Sequence, residues 1–208
     1  MNSHNVVFID DDTNYIDDFR LAGEDLSVNV PVVELVPSIN ELVNTIIDIN
    51  PDAVVVDFQL RETRSDIKYD GADVLKLLEE KTYDLPKFIF TSFPSEAEDA
   101  ASDINIVYDK DSDKLNPLMA RVVKQIDKHR KMLSLYDEEL GSLLKKKGAG
   151  DISFKEEERI IELDSILEKT LNREAVIPDA LKTTSVMTRL DEIFSKTKEL
   201  VDEIQKEK

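Results

Sequence analysis

The chain has 208 residues, with 27 lysines and arginines against 45 aspartates and glutamates, a formal net charge of −18. So acidic a surface repels nucleic acid and anionic membrane, and the absence of cysteine excludes disulfides, thiolate zinc sites and a cysteine nucleophile. The opening "MNSHNVVFID" lacks the basic and long apolar segments of a signal peptide, and no stretch approaches the roughly 18 apolar residues of a membrane span, so a soluble, cytoplasmic protein is expected.

Residues 1–115 alternate short apolar runs with helical patterns. The strand candidates are "VVFI" (6–9), "VPVVELV" (30–36), "AVVVDF" (53–58), "KFIFTS" (87–92) and "INIVY" (104–108). Continuous apolar runs such as 53–56 suit strands covered on both faces, as in a parallel sheet flanked by helices. Between them, "SINELVNTIIDI" opens with Ser38 and Glu41 at capping-box spacing, and "DGADVLKLLEEK" offers Asp70 as a cap with Val74, Leu77 and Leu78 on one face. This βαβ order predicts a doubly wound, five-stranded parallel α/β domain whose ligands sit beyond the carboxyl ends of the strands.

After residue 115 the strand pattern stops. Asn116 followed by Pro117 reads as a cap and a first helical position. From there Val122, Ile126, His129, Leu133, Tyr136, Leu140 and Leu143 recur at alternating steps of four and three, up to the glycines of "KKKGAGD". A helix from 117 to about 147 spans on the order of 45 Å, more than the α/β domain is expected to cover, so it should project. Two further stripes follow on either side of Pro178: Ile160, Leu163, Leu167 and Leu171, then Leu190, Ile193, Thr197, Leu200 and Ile204. The expected organisation is an α/β domain over 1–130 and a helical hairpin or bundle module over 131–208. Of the net charge, −14 falls on the first and −4 on the second.

Polar residues collect where strands end. Asp10 and Asp11 follow the first strand, Asp57 ends "VVVD", Thr91 and Ser92 end "FIFTS", and Lys110 follows "IVYD". In a doubly wound sheet these ends converge on one rim. Carboxylates crowded beside an apolar interior raise one another's pKa unless a cation sits among them. Oxygen ligands without histidine or cysteine point to Mg²⁺, or Mn²⁺ in its place. A metal, a carboxylate, a hydroxyl and a lysine together suit phosphoryl transfer. Asp57 would attack phosphorus to give an acyl phosphate, Lys110 would neutralise charge on the equatorial oxygens, and Thr91 would hydrogen-bond one of them.

The set "IDDD", "VVVDFQL", "IFTS" and "YDKD" resembles the receiver domain of two-component response regulators, over roughly residues 4–130. The resemblance implies a flavodoxin-like fold, Asp57 as the phosphoacceptor, Asp10 and Asp11 as the acidic pair for Mg²⁺, and a metal contact from the Gln59 backbone carbonyl. It also implies Thr91 as the switch hydroxyl and Lys110 as the family's lysine. Asp12 reads instead as the cap of the first helix. The only catalysis implied is the chain's own phosphorylation and dephosphorylation, so it is not expected to be an enzyme in the ordinary sense. Phe93, two residues after Thr91, stands where family members tune water access to the phosphoryl group.

The chain also departs from the family pattern. Asp111 follows Lys110 where the family has proline, and the loop after Asp57 is longer and lacks a Met-Pro step. The aromatic position three before the lysine is Val107. Tyr108, one residue on, should face the opposite side of a regular strand.

Other features have plain structural readings. His129 falls in the apolar stripe and reads as a packed histidine, and His4 lies in an N-terminal tail. "EEE" (156–158) and "KKK" (145–147) suit the acidic first turn and basic last turn of successive helices. The implied partners are a sensor histidine kinase or phosphotransfer protein and a downstream protein, with a homodimer also open. One alternative is a transcription regulator with a helix-turn-helix beginning at "SFKEEERIIEL", though "TTSVMTRLDEIFSKTKELVDEI" lacks the basic face of a recognition helix. Another is a phosphate sink or relay intermediate whose helices only stabilise the receiver.

Overall fold

A computed structural model describes residues 4–24, 26–61 and 64–171. The chain forms two compact units, with the division falling inside one long helix near Ser134.

The first unit is a five-stranded parallel sheet in the order β2-β1-β3-β4-β5. Its strands are β1 (His4–Ile9), β2 (Val28–Asn29), β3 (Ala53–Val56), β4 (Lys87–Thr91) and β5 (Val107–Asp109). The connections are α1 (Thr13–Glu24), α2 (Ile39–Ile49), α3 (Gly71–Lys81) and α4 (Pro94–Ala100), and α5 (Leu115–Gly148) follows β5. This is the doubly wound architecture the sequence predicts.

Alternation along the strands divides the core in two. Val7, Ile9, Val54, Val56 and Ile89 pack with Leu42, Val43 and Ile46 of α2, Val74, Leu75 and Leu78 of α3, and Ala97 of α4. Val6, Phe8, Ala53, Val55, Phe88 and Phe90 face the other way, onto Phe19 of α1 and Leu118, Met119, Val122 and Ile126 of α5. Phe8 and Phe19 stack there with ring centroids 4.3 Å apart. Both faces of β1 and β3 are therefore covered, which explains their unbroken apolar runs.

Helix starts follow their cap chemistry. The Ser38 hydroxyl accepts the Glu41 amide at 3.4 Å. Asp70 and Asp73 form a reciprocal capping box at the start of α3, with bonds of 3.0 and 3.2 Å.

Three elements differ from expectation. The second strand is Val28–Asn29 rather than 30–36. Pro31 has no N–H to donate, and the buried positions Val28, Val30, Val33 and Leu35 change phase across it, so the segment is apolar without a ladder. The "INIVY" run opens with a 3₁₀ turn, Ile104–Ile106, capped by Asp103, and only its end joins β5. α5 begins at Leu115, so Pro117 is the third helical residue instead of the first. The first four amides of a helix have no intrahelical acceptor, so proline is tolerated there. His4 begins β1, with Nε2 3.8 Å from Asp127, and is not in a tail.

The second unit is a helical hairpin, the end of α5 followed by α6 (Phe154–Leu171). Arg159 donates to both carboxylate oxygens of Glu139 at 2.9 and 3.0 Å, and Lys146 pairs with Glu156 at 2.8 Å, so the helices run antiparallel. Gly150 turns the chain with φ +74°, a conformation that costs other residues dearly. Ser153 and Glu156 cap α6 through bonds of 2.9 and 3.4 Å. Leu140, Leu143, Ile160, Leu163 and Leu167 are buried, as the stripes predict. The stripe from Leu190 to Ile204, Pro178 and the segment 183–204 lie outside the described residues.

Candidate functional site

Strand register builds the site. Ile9 and Val56 are paired on β1 and β3, and the Asp57 amide donates to the Ile9 carbonyl at 2.8 Å, so Asp10 and Asp57 leave adjacent strands at one level. On the other side of β3, Thr91 of β4 pairs with Asp109 of β5, and the Lys110 amide donates to the Thr91 carbonyl at 2.8 Å. The strand ends thus carry Lys110 to the carboxylates.

The Lys110 ammonium donates to Asp10 Oδ2 at 2.8 Å and lies 2.9 Å from Asp57 Oδ1. All three side chains are nearly removed from water, at 5%, 2% and 7% exposed for Lys110, Asp10 and Asp57. The remaining carboxylate oxygens are also held. Asp10 Oδ1 accepts the Asp12 amide at 2.9 Å, and Asp57 Oδ2 accepts the Gln59 amide at 2.7 Å. Asp10, Asp11 and Asp57 each present an oxygen within 4.8 Å of the others.

Burial dominates the electrostatics. Desolvation pushes the Asp57 carboxyl up to about 6, against the opposing pull of Lys110, and nearby Asp10 raises it further. Asp10 is raised for the same first reason. Lys110 is held above its ordinary value because its two carboxylates outweigh the desolvation that disfavours its charge. One buried cation thus stands between two buried carboxylates, with a third carboxylate beside them.

Asp10, Asp11, Asp57 and Lys110 therefore meet, as the strand-end pattern anticipates. Thr91 is fully buried at the end of β4, where its hydroxyl accepts the Phe93 amide at 3.2 Å. Gln59 touches Asp57 through its amide. Asp12 does cap α1, accepting the Asn14 amide at 2.9 Å. Phe93 is half-buried and precedes the first turn of α4, which Pro94 opens. Val107 packs with the α2–α4 core, whereas Tyr108 packs on the opposite face near Phe88, at 5.9 Å between centroids. No peptide bond among the described residues is cis, so Lys110–Asp111 is trans. His129 is a buried side chain whose Nε2 finds no hydrogen-bond partner, and desolvation lowers its pKa.

Two neighbours of the site escaped sequence reasoning. Tyr15, in the first turn of α1, lays its ring over the Lys110 ammonium, 3.9 Å from Nζ to centroid. Gly71 opens α3 directly against the Asp57 backbone. The Asp-Gly step at 70–71 was the one available signal for Gly71; nothing in the local pattern marked Tyr15.

No protein-family model and no curated protein matches the sequence. Solved structures do. A response regulator receiver protein from Sinorhizobium medicae WSM419 superposes with a TM-score of 0.50 at 16% identity, over 61% of this chain and 96% of that one. This first part of the chain has the receiver fold. A CheY-like receiver domain protein from Methanospirillum hungatei JF-1 matches at 16% identity over 63% of this chain and 99% of its own, TM-score 0.48. The anti-anti-sigma factor PhyR from Bartonella quintana matches at 18% identity and TM-score 0.48, over 64% of this chain; the match spans about half of PhyR's length, 51%. At these identities the receiver likeness is one of fold, with strand order 2-1-3-4-5 as its signature. The helices that follow the receiver sheet are α5 and α6.

Proposed function

We infer that the chain is a two-component response regulator that accepts a phosphoryl group on Asp57 from a histidine kinase or phosphotransfer protein. The observation that carries this reading is the Asp57 carboxylate itself. It is buried at the end of a central strand, bridged to Asp10 by one lysine, with Asp11 in the same cluster.

In the transfer, the Asp57 oxygen that faces Lys110 attacks phosphorus in line. The P–N bond to the donor imidazole breaks, its electron pair returns to nitrogen, and that nitrogen is left to be protonated from solvent. Lys110 keeps its ammonium beside Asp57 and so neutralises charge gathering on the phosphoryl oxygens. The Gln59 amide holds the second Asp57 oxygen and orients the carboxylate. Thr91, buried on the adjoining strand, supplies a hydroxyl that accepts the Phe93 amide and whose own O–H can donate to a phosphoryl oxygen. Asp10, Asp11, Asp57 and the Gln59 carbonyl are the ligands assigned to Mg²⁺; hard carboxylate oxygens this close fit a divalent cation of that kind. When bound, the cation supplies charge neutralisation at the transferring group.

The domain roles follow: residues 1–130 receive the signal and 131–208 deliver it. α5 runs without a break from the first compact unit into the second, which makes it the covalent path between them. The delivered signal is a protein–protein contact or dimerisation, suited to a cytoplasmic protein without a basic surface.

The test is molar mass by light scattering on the full chain, with and without Mg²⁺ and beryllofluoride, a phosphoryl mimic that needs the Asp57 carboxylate. Asp57→Asn is the control. A rise in mass that needs both additives and vanishes in the variant supports phosphorylation-gated self-association. Mimic binding without a rise in mass redirects the output to a different protein. No binding of the mimic at all overturns the reading.

A further inference from the structure

We propose that Tyr15 is a positioning residue for the phosphoryl-transfer site, its ring holding the Lys110 ammonium against Asp57. This rests on the reading of Asp57 as phosphoacceptor.

A lysine ammonium has three N–H donors. One goes to Asp10 Oδ2 at 2.8 Å, and a second lies with Asp57 Oδ1 at 2.9 Å. The third side of the ammonium faces the Tyr15 ring, 3.9 Å from Nζ to centroid, within the range of a cation–π contact. Tyr15 as a residue is 36% exposed, and the Lys110 side chain it covers is 5% exposed. The Tyr15 ring is thus part of the cover over this ammonium.

The geometry matters because lysine is a point charge on a flexible four-carbon stem. Once Asp57 becomes an acyl phosphate, the carboxylate charge that held Lys110 moves out onto the phosphoryl oxygens. At that moment the ammonium has two alternatives: to follow the charge over a short distance, or to swing into water. The ring closes the second route without taking a hydrogen-bond acceptor away from the first. A water in the ring's place would compete for the third N–H, and an aliphatic side chain would exclude water without attracting the cation. Tyrosine's own hydroxyl has no part in this, so phenylalanine should serve equally.

The experiment uses the full chain with Mg²⁺ and acetyl phosphate. In that step the Asp57 oxygen–phosphorus bond forms, the bond between phosphorus and the acyl oxygen breaks, and acetate leaves with the electron pair. Initial rates are measured against donor concentration for the parent, Tyr15→Phe, Tyr15→Trp, Tyr15→Leu and Tyr15→Met. The contact acts at the reacting group. The maximal rate should therefore fall about threefold to tenfold in the Leu and Met variants while half-saturation by acetyl phosphate is unchanged. Phe and Trp should stay within about twofold of the parent. In parallel, the Lys110 side-chain protons of the unphosphorylated protein should show an upfield ring-current shift, present with Tyr, Phe or Trp and absent with Leu or Met.

Equal rates across all five proteins overturn the proposal, as does a loss in Phe and Trp that matches the loss in Leu and Met. A parent that takes up no phosphoryl group overturns the phosphoacceptor reading as well, and the two failures are distinguished by that control. Two aliphatic variants are included so that poor folding of one leaves the comparison intact.

Discussion

Gly71 stands directly against the Asp57 carbonyl oxygen: a methyl group built on its Cα would overlap that oxygen, and would also press Val56 at 3.1 Å. The Gly71 amide meanwhile donates to the Phe58 carbonyl at 2.9 Å. The start of α3 is thereby packed onto the end of β3, and only a residue without a side chain permits it. Gly71→Ala must move either the helix or the strand end, because both sides of the clash are backbone. The expected cost is about 1–3 kcal/mol, measured by urea unfolding. Binding of beryllofluoride should also weaken, whereas Gly148→Ala, at a position open on all sides, should leave it unchanged.

Removing the buried cation should be worse than removing a surface one. Lys110→Ala leaves Asp10 and Asp57 facing each other in a site closed to water, with a cost of about 3–5 kcal/mol for an uncompensated buried charge. The loss should be largest near pH 8 and smaller near pH 5, where the carboxylates relieve it by taking protons. Denaturant titrations of parent and variant at the two pH values check both the size and the trend.

The pH dependence of the parent has a definite sign. Asp57 is raised to about 6 in the fold, so between its unfolded value and pH 6 the native state holds a proton that the unfolded chain has released. Its contribution to stability is therefore fully present at acid pH below the unfolded value and is lost as pH rises through about 6. From this group alone, stability should increase by about 1 kcal/mol on going from pH 7 to pH 5. Asp10, also raised, contributes in the same direction. Asp57→Asn should flatten the corresponding part of the stability–pH curve, and an equally steep curve in the variant would contradict the assignment.

Mg²⁺ should raise the melting temperature of the full chain with a saturable concentration dependence, since a ligand of the native state alone stabilises it by mass action. Asp11→Asn should reduce that response while the Lys110 bridges to Asp10 and Asp57 are kept. Protons compete for the same oxygens, so the stabilisation should shrink at pH 5.

In the helical hairpin, burial should outweigh charge. Leu163 is fully buried, and Leu163→Ala should destabilise the hairpin by about 2–5 kcal/mol. Arg159→Ala removes the pairing with Glu139 and a second contact to Glu162, but these side chains are partly exposed, and the cost should stay near 1 kcal/mol or below. Helicity followed by circular dichroism during thermal unfolding distinguishes the two.

The parts of this molecule legible in the sequence are those that one periodicity or one strand end encodes. The apolar runs of β1 and β3 are unbroken because both faces are covered, and Asp10, Asp57 and Lys110 each follow a strand while Thr91 ends one, so parallel pairing alone collects them on one rim. Val107 and Tyr108 fall on opposite faces for the same reason, a period of two. What escaped depends on approach in space. The segment 30–36 is apolar enough for a strand, but Pro31 and the phase change across it leave the ladder at Val28–Asn29. Gly71 and Tyr15 reach the site from the starts of α3 and α1, and no spacing rule connects Gly71 to Asp57 or Tyr15 to Lys110. The Gln59 amide contact follows from a tight turn after β3, a detail of backbone geometry that residue type does not specify.

The most direct test of Asp57 as phosphoacceptor is the intact mass of the full chain after incubation with acetyl phosphate and Mg²⁺. A gain of one phosphoryl group is predicted, labile to hydroxylamine as an acyl phosphate is, dependent on the metal, and absent in Asp57→Asn. An unmodified mass, or a phosphoryl group that survives in Asp57→Asn, would contradict it.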